Sequence, residues 1–334
     1  MAVTTGMWEP ASRFRVRALI PGLYQSGVAC EEVIPSVKSY PPTARLLRPA
    51  WLLAALATRL PLALSSRAFD VVLFQRELIS TLMTLEPLFK RPRVLDVDDA
   101  IFLSQRARSI ARLAGSCDMV VCGNQYLADR FSNWNKTIRI LPTGVDTQRY
   151  CPAPLRKAGR PQTIGWIGTS SNLKYLYQIE GPLSRVLTMC PDAMLVIVSD
   201  RPPVFKTISP ERIHFISWSP DVEVEAIQSF SVGLMPLDDS EWARGKCSFK
   251  LLQYYSCGVP AVVSPVGMNA EVIAAADAGF SANSTDGWVD HLMFLLENPE
   301  QSVRRGEEGR KLVEQAYSIK VIAPKLASYL KEIS

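Results

Sequence analysis

The sequence predicts an α/β protein made of two doubly wound parallel-sheet halves facing each other across a cleft. Three observations carry this. Short apolar runs alternate with helical stretches over most of the chain, and 334 residues suffice for two domains of roughly 150 residues each. Cys151 to Gln162, with three prolines, reads as a linker between two such halves. The third is the stretch Val232 to Glu271, which reads as strand, polar loop, helix, strand and helix start. Such a βαβ unit turns both of its loops toward one crevice. The expected bounds are 1–150 for the first domain and 151–316 for the second, with 317–334 a terminal helix available to pack back on the first.

Charge is unevenly spread. Residues 1–160 hold 22 lysines and arginines against 12 aspartates and glutamates, while the remainder holds 15 against 20. A basic first half favours an acidic partner such as a phospholipid surface or a phosphorylated acceptor, or else serves solubility alone. Aromatic residues are not interleaved with the arginines as a nucleic-acid groove needs. Two histidines and seven cysteines without a CxxC pair suggest neither a metal site nor a disulfide framework, so no metal is expected. A reducing, cytoplasmic setting follows, and the first residues do not read as a signal peptide.

In order, Ala2 to Thr5 is β-prone, and Ala11 to Gly27 has a helical pattern interrupted by Pro21. Arg13 and Arg15 then fall in a first turn, where cations oppose the helix dipole, so an anion is expected beside them unless they are simply exposed. Val28 to Ile34 reads as a strand. Ala50 to Leu64 is apolar but carries Arg59 and Pro61, and is too short to cross about 30 Å of hydrocarbon. Helix packing on the sheet is the commoner explanation; with Arg45, Arg48 and Arg67 flanking it, an interfacial helix is the other.

Phe69 to Gln75 is a buried parallel-type strand, Leu78 to Leu88 its return helix, and Val94 to Val97 the next strand, ending in Asp98-Asp99-Ala100. Carboxylates at that end of a strand lie where open sheets bind ligands, or cap a following helix. Asp96 and Asp98 also spell DxD, a spacing short enough to recur by chance. Asp118 to Cys122, a helix from Asn124 to Trp134 and Ile138 to Leu141 complete the first half. Strands at Thr163 to Ile167, Met194 to Val198, Ile213 to Ile216 and Val232 to Met235 build the second, and the chain after Gly279 reads as mainly helical.

The candidate site lies at the loop before the helical run Phe249, Leu251, Leu252, Tyr255. There the N–H groups of Cys247 and Ser248 and the Lys246 ammonium converge on a position suited to a diphosphate; the alternative is a solvated loop capped by Ser248.

Three segments resemble family 4 glycosyltransferases of the GT-B fold: ILPTGVDTQRYCP, FISWSPDVEVEAIQSFSVGLMPL and GVPAVVSPVGMNAEVI. The resemblance runs through nearly all of the chain. It implies retaining transfer of a sugar from a nucleotide diphosphate sugar to a glycan or lipid-linked acceptor in cell-surface polysaccharide synthesis. No cofactor beyond that donor is implied. The family's usual glutamate pair falls on Gly245 and Gln253, so this chain resembles a branch that lacks it and has a lysine in the loop. The family's glycine, arginine and lysine fall on Gly168, Thr169 and Lys174, and Asp98 takes the place of its histidine.

The resemblance thus implies Asp98, Asp99 and Lys246 as catalytic residues, and Arg13 and Arg15 toward acceptor or phosphate. Donor contacts are implied for Gly168, Thr169, Lys174, Trp218, Cys247, Ser248, Lys250 and Gln253, and for Gly267, Met268, Asn269 and Glu271. Peripheral membrane contact through the basic half is left open. The missing glutamates equally suit a non-catalytic GT-B protein that binds sugar nucleotides or serves assembly.

Overall fold

The structure is a computed structural model and describes residues 1–80, 82–103, 107–153 and 162–334. Residues 154–161 of the expected linker and Thr81 of the expected helix Leu78 to Leu88 lie outside them. The chain divides into two compact units. The first comprises Met1–Gly144, Arg244–Cys247 and Ile319–Ser334; the second comprises Val145–Ala243 and Ser248–Ser318.

The first unit holds six parallel strands: β1 (Ala2–Val3), β2 (Glu32–Val33), β3 (Val72–Gln75), β4 (Arg93–Val97), β5 (Met119–Cys122) and β6 (Ile138–Ile140). Their spatial order is β2-β1-β3-β4-β5-β6. The order reverses between β1 and β3, which makes that gap the switch point at which open sheets bind ligands. Strands β3 to β5 are buried along their whole length, which suits their largely apolar sequence; Gln75, Arg93 and Asp96 are their buried polar residues. Leu73, Val94 and Val121 share a core with Leu19 and Leu23 and with Ile322, Ala323 and Leu326 of the terminal helix Ile319–Ile333.

Three expectations for this unit are corrected. The stretch Ala11 to Gly27 is not one helix: a π-type turn at Ser12–Val16 and a 3-10 turn at Arg17–Leu19 precede helix Ile20–Gln25, which Pro21 opens. The strand expected at Val28 to Ile34 contracts to the two residues of β2. Among the described residues from Leu78 to Phe89 there is no return helix beyond a 3-10 turn at Glu86–Leu88, because the buried Glu86 carboxylate accepts the N–H groups of Leu78 (3.0 Å) and Thr84 (2.5 Å).

The second unit is again a six-stranded parallel sheet: β7 (Thr163–Ile167), β8 (Met194–Ser199), β9 (Ile213–Ser217), β10 (Val232–Met235), β11 (Ala261–Val263) and β12 (Gly279–Ser281). The spatial order β12-β11-β10-β7-β8-β9 has its switch point between β7 and β10. Strand β12 is not marked in the sequence; three residues are too few to print an alternating pattern, and pairing with β11 makes the strand. The core under this sheet is built on Trp166, Leu195, Ile197, Trp288 and Leu292.

Candidate functional site

In the first unit, charged side chains gather at the carboxyl ends of β3 and β4. Asp96 is buried, and Arg15 holds it bidentately, Nε to Oδ2 at 2.7 Å and Nη2 to Oδ1 at 2.5 Å. The same guanidinium donates to the Leu141 carbonyl (2.9 Å) and Thr143 Oγ1 (3.2 Å). Burial pushes the Asp96 carboxyl up and Arg15 acts against it, while burial works against the Arg15 charge and Asp96 more than offsets it. Arg15 does need an anion beside it, but Asp96 supplies it. The expectation that Arg15 serves phosphate is corrected on that ground.

Asp98 and Asp99 follow at the strand end, both partly buried. Arg76, directly after β3, donates one Nη2 to Asp98 Oδ1 (3.0 Å) and Asp99 Oδ2 (2.9 Å). Its backbone is left-handed at φ +76°. A side chain rarely holds this conformation without surrounding structure to enforce it, and such residues cluster at functional sites. Arg76 is not among the residues the sequence singles out, although a cation directly after the buried run FDVVLFQ, at the ligand-binding end of a strand, is a signal for it.

The segment Arg244–Cys247 belongs to this unit. The Asn124 amide donates to the carbonyls of Arg244 (3.3 Å) and Lys246 (3.0 Å), while its Oδ1 caps helix Gln125–Phe131 through Leu127 N–H. The buried Cys247 thiol donates to the Asp98 carbonyl at 3.1 Å. A Cβ at Gly245 would lie 2.7 Å from Ala100 Cβ and 2.9 Å from its nitrogen, so only glycine lets the loop approach this closely. Lys246 is half-buried, and its charge lowers the Asp99 carboxyl.

Burial, then the neighbouring Asp98 charge, nevertheless leave Asp99 above the ordinary aspartate value of 3.8, with Arg76 and Lys246 acting against them. Between that value and its raised one, the folded protein keeps a proton that the unfolded chain has released. Asp99 therefore contributes stability that declines as pH rises through this window. Denaturant titrations of Asp99→Asn should show a flatter pH dependence of stability there than the parent protein; an identical slope in both would refute the assignment.

In the second unit, the switch point is occupied by Gly168 and Lys250. A Cβ at Gly168 would lie 2.6 Å from Lys250 Cε, so the lysine stem crosses the end of β7 where no side chain stands, and its Nζ lies 5.8 Å from the Trp166 ring centre. The adjoining loop is tied down by Asp200, which accepts the Ser170 N–H (2.6 Å) and hydroxyl (2.8 Å). Partial burial raises the Asp200 carboxyl, and the Ser170 bonds more than reverse this. Thr169 Oγ1 is held within the loop by Asn172 (2.8 Å), and Lys174 lies exposed with its Nζ 4.7 Å from the Tyr175 ring centre.

Other donor candidates are committed to the fold. Ser248 does not cap helix Phe249–Ser256; its backbone is left-handed at φ +48° and its hydroxyl donates to Asn269 Oδ1 at 2.7 Å. The fully buried Asn269 amide also donates to the carbonyls of Met235 and Ser264, 3.2 Å each, joining the ends of β10 and β11. Met268 is buried beside it. Gln253, implied above as a donor contact, is buried and donates to the buried Glu223 carboxylate at 3.2 Å, so that expectation is corrected. Glu271 is exposed, Gly267 turns at φ +54° before helix Met268–Ala274, and Trp218 is half-buried after β9. Arg13 is half-buried over the Phe14 ring, 4.6 Å from its centre.

The structure thus brings Asp98, Asp99, Lys246 and Cys247 together in the first unit, and pairs Gly168 with Lys250 and Ser248 with Asn269 in the second. The first group offers carboxylates poised to bond hydroxyls; the second offers a cation at a switch point, suited to phosphate.

Residues 161–298 match the family described as glycosyl transferases group 1. No curated protein matches the chain in sequence. Among solved structures, HepE of Anabaena in complex with UDP and glucose is similar at 14% identity and a TM-score of 0.74, over 99% of each chain. Sucrose-phosphate synthase from Thermosynechococcus elongatus is similar at 13% identity and 0.71, over 95% of this chain and 92% of that one. WaaG, a glycosyltransferase involved in lipopolysaccharide biosynthesis, is similar at 15% and 0.66, over 98% of each. The fold is therefore the α/β GT-B fold, two parallel six-stranded sheets with their helices.

Proposed function

We propose that the protein is a cytoplasmic glycosyltransferase that moves a sugar from a nucleotide diphosphate sugar to a glycan or lipid-linked acceptor, with retention of configuration. The observation that carries the reading is the match of residues 161–298 to glycosyl transferases group 1, on a sheet whose switch point holds Gly168 and Lys250. HepE, bound to UDP and glucose in its structure, supports a nucleotide-sugar donor for this chain as well. In such a reaction negative charge builds on the departing diphosphate, and stabilising it is the dominant demand. Lys250 and Lys174 of the second unit are the cations assigned to it, supplying the charge a metal ion would otherwise bring, and Lys246 of the first unit is assigned a catalytic role beside Asp99. Asp98 and Asp99 are assigned to the hydroxyls of the reacting sugars, as carboxylates serve in glycoside chemistry.

Replacing Lys246 with alanine should reduce donor turnover by about 100-fold or more, the scale of losing one charge-stabilising donor, with circular dichroism unchanged. Undiminished transfer overturns the role of Lys246. A second reading, a GT-B protein that binds sugar nucleotides without turning them over, is favoured by one specific observation. Neither position of the family's glutamate pair offers a carboxylate: Gly245 abuts Ala100, and Gln253 is buried against Glu223. A panel of nucleotide sugars separates the two, since thermal stabilisation without nucleotide release, with acceptor glycans present, supports the second.

A further inference from the structure

We propose that helix Arg48–Ser65, in the first unit, lies flat on an anionic lipid surface. An ordinary surface helix turns its leucines inward; this one half-buries Leu52, Leu56 and Leu62 and leaves the others in solvent. Together with the 3-10 turn Arg45–Leu47 that leads into it, its solvent face carries Leu46, Leu53, Leu60 and Leu64, which are 95%, 69%, 46% and 57% exposed, with Ala50 and Ala57 between them. These positions recur at intervals of three and four, so they form one continuous stripe about 27 Å long at the helical rise of about 1.5 Å per residue. The face turned to the protein holds Ala55, Arg59 and Ala63 instead.

Arg59 fixes that rotation. It is fully buried, and its guanidinium donates to the carbonyls of Leu78 (3.0 Å), Val37 (2.9 Å) and Ala55 (3.1 Å) and to Ser39 Oγ (3.1 Å). Turning the leucines inward would break these bonds and strand a charge, so the exposed stripe is imposed by the fold. A helix anchored along one face in this way cannot cross a bilayer, and its apolar face is available only to a flat surface.

Charge selects the occupant. From Val33 to Phe69 the chain has no aspartate or glutamate, whereas Lys38, Arg45, Arg48 and Arg67 are exposed around the stripe. A second copy of this chain would set the same cations against each other across a two-fold contact, while anionic headgroups complement them. The inference does not depend on the sugar-transfer reading.

The test is co-sedimentation of the full chain with phosphatidylcholine vesicles with and without phosphatidylglycerol. Binding to the anionic vesicles, weakened by salt, is expected. The double variant Leu53→Ser, Leu60→Ser, altered only on exposed side chains, should bind at least about tenfold more weakly, the scale of one leucine's transfer from water. Its melting temperature should match the parent's, which separates lost docking from lost folding. Three results would each overturn the proposal: no binding to anionic vesicles, binding unchanged in the double variant, or a dimer in solution that the double variant abolishes.

Discussion

Replacing Arg76 with methionine should cost about 3 kcal/mol of folding stability at neutral pH, the scale of breaking one partner out of a buried ion pair. Methionine retains the bulk of the stem and removes the charge that Asp98 and Asp99 share. Lys246 is then left as the cation acting on Asp99. Because Arg76 lowers the Asp99 carboxyl, its loss moves that group further up, so acid should relieve the variant. The deficit measured by urea unfolding should therefore shrink as pH falls toward the ordinary carboxylate range. Arg76→Lys, which retains the charge without the fork, should recover part of it. A deficit below about 1 kcal/mol, with no pH dependence, would mean that the Arg76 bridge is a solvated surface contact of the usual small value.

Gly245→Glu should unseat the Arg244–Cys247 segment. It installs a carboxylate where the family resemblance places one, yet the clash begins at Cβ, 2.7 Å from the Ala100 methyl. Overpacking of this kind costs typically about 1–3 kcal/mol, and the backbone has to move to relieve it. The movement draws the carbonyls of Arg244 and Lys246 away from the Asn124 amide and Lys246 away from Asp99. Both the melting temperature and sugar transfer should drop together. Gly245→Ala should reproduce most of the loss, because sterics and not charge cause it, and Ala100→Gly should partly rescue either variant. A Gly245→Glu protein as stable as the parent and more active would mean that the carboxylate is accepted as a working part of the site.

How far the sequence could be read depended on whether a signal was local. The strands β3, β4, β5, β7, β8 and β10 print as largely apolar runs because both faces of a parallel sheet are covered; all but β3 match their expected bounds to within one residue, and β3 starts at Val72 where Phe69 is expected. β2 and β12 are two and three residues long, and pairing with a neighbour, not composition, makes them strands. The stretch after Leu78 has helical composition, but the buried Glu86 carboxylate competes for its N–H groups and wins.

The candidate residues divide in the same way. Arg15 and Gln253 were read as ligand-facing because a polar side chain near a loop gives no sign of which way it points. Asp96 and Glu223, distant in sequence, turn both inward. Asn124 and Asn269, whose amides each tie together backbone segments far apart along the chain, carry no pattern that a linear reading can detect.

By itself the sequence determined the α/β class and the two doubly wound halves, since periodicity is a property of neighbouring residues; for the helix bearing the leucines at 53, 60 and 64 it left packing on the sheet and an interface both open. Only the tertiary structure decided that Arg59 turns those leucines outward, that Arg76 bridges Asp98 and Asp99, and that Gly245 has no room for a side chain. Each of these rests on groups many positions apart meeting within a few ångströms, and burial then sets which of the meeting charges is paired and which cost would follow its loss.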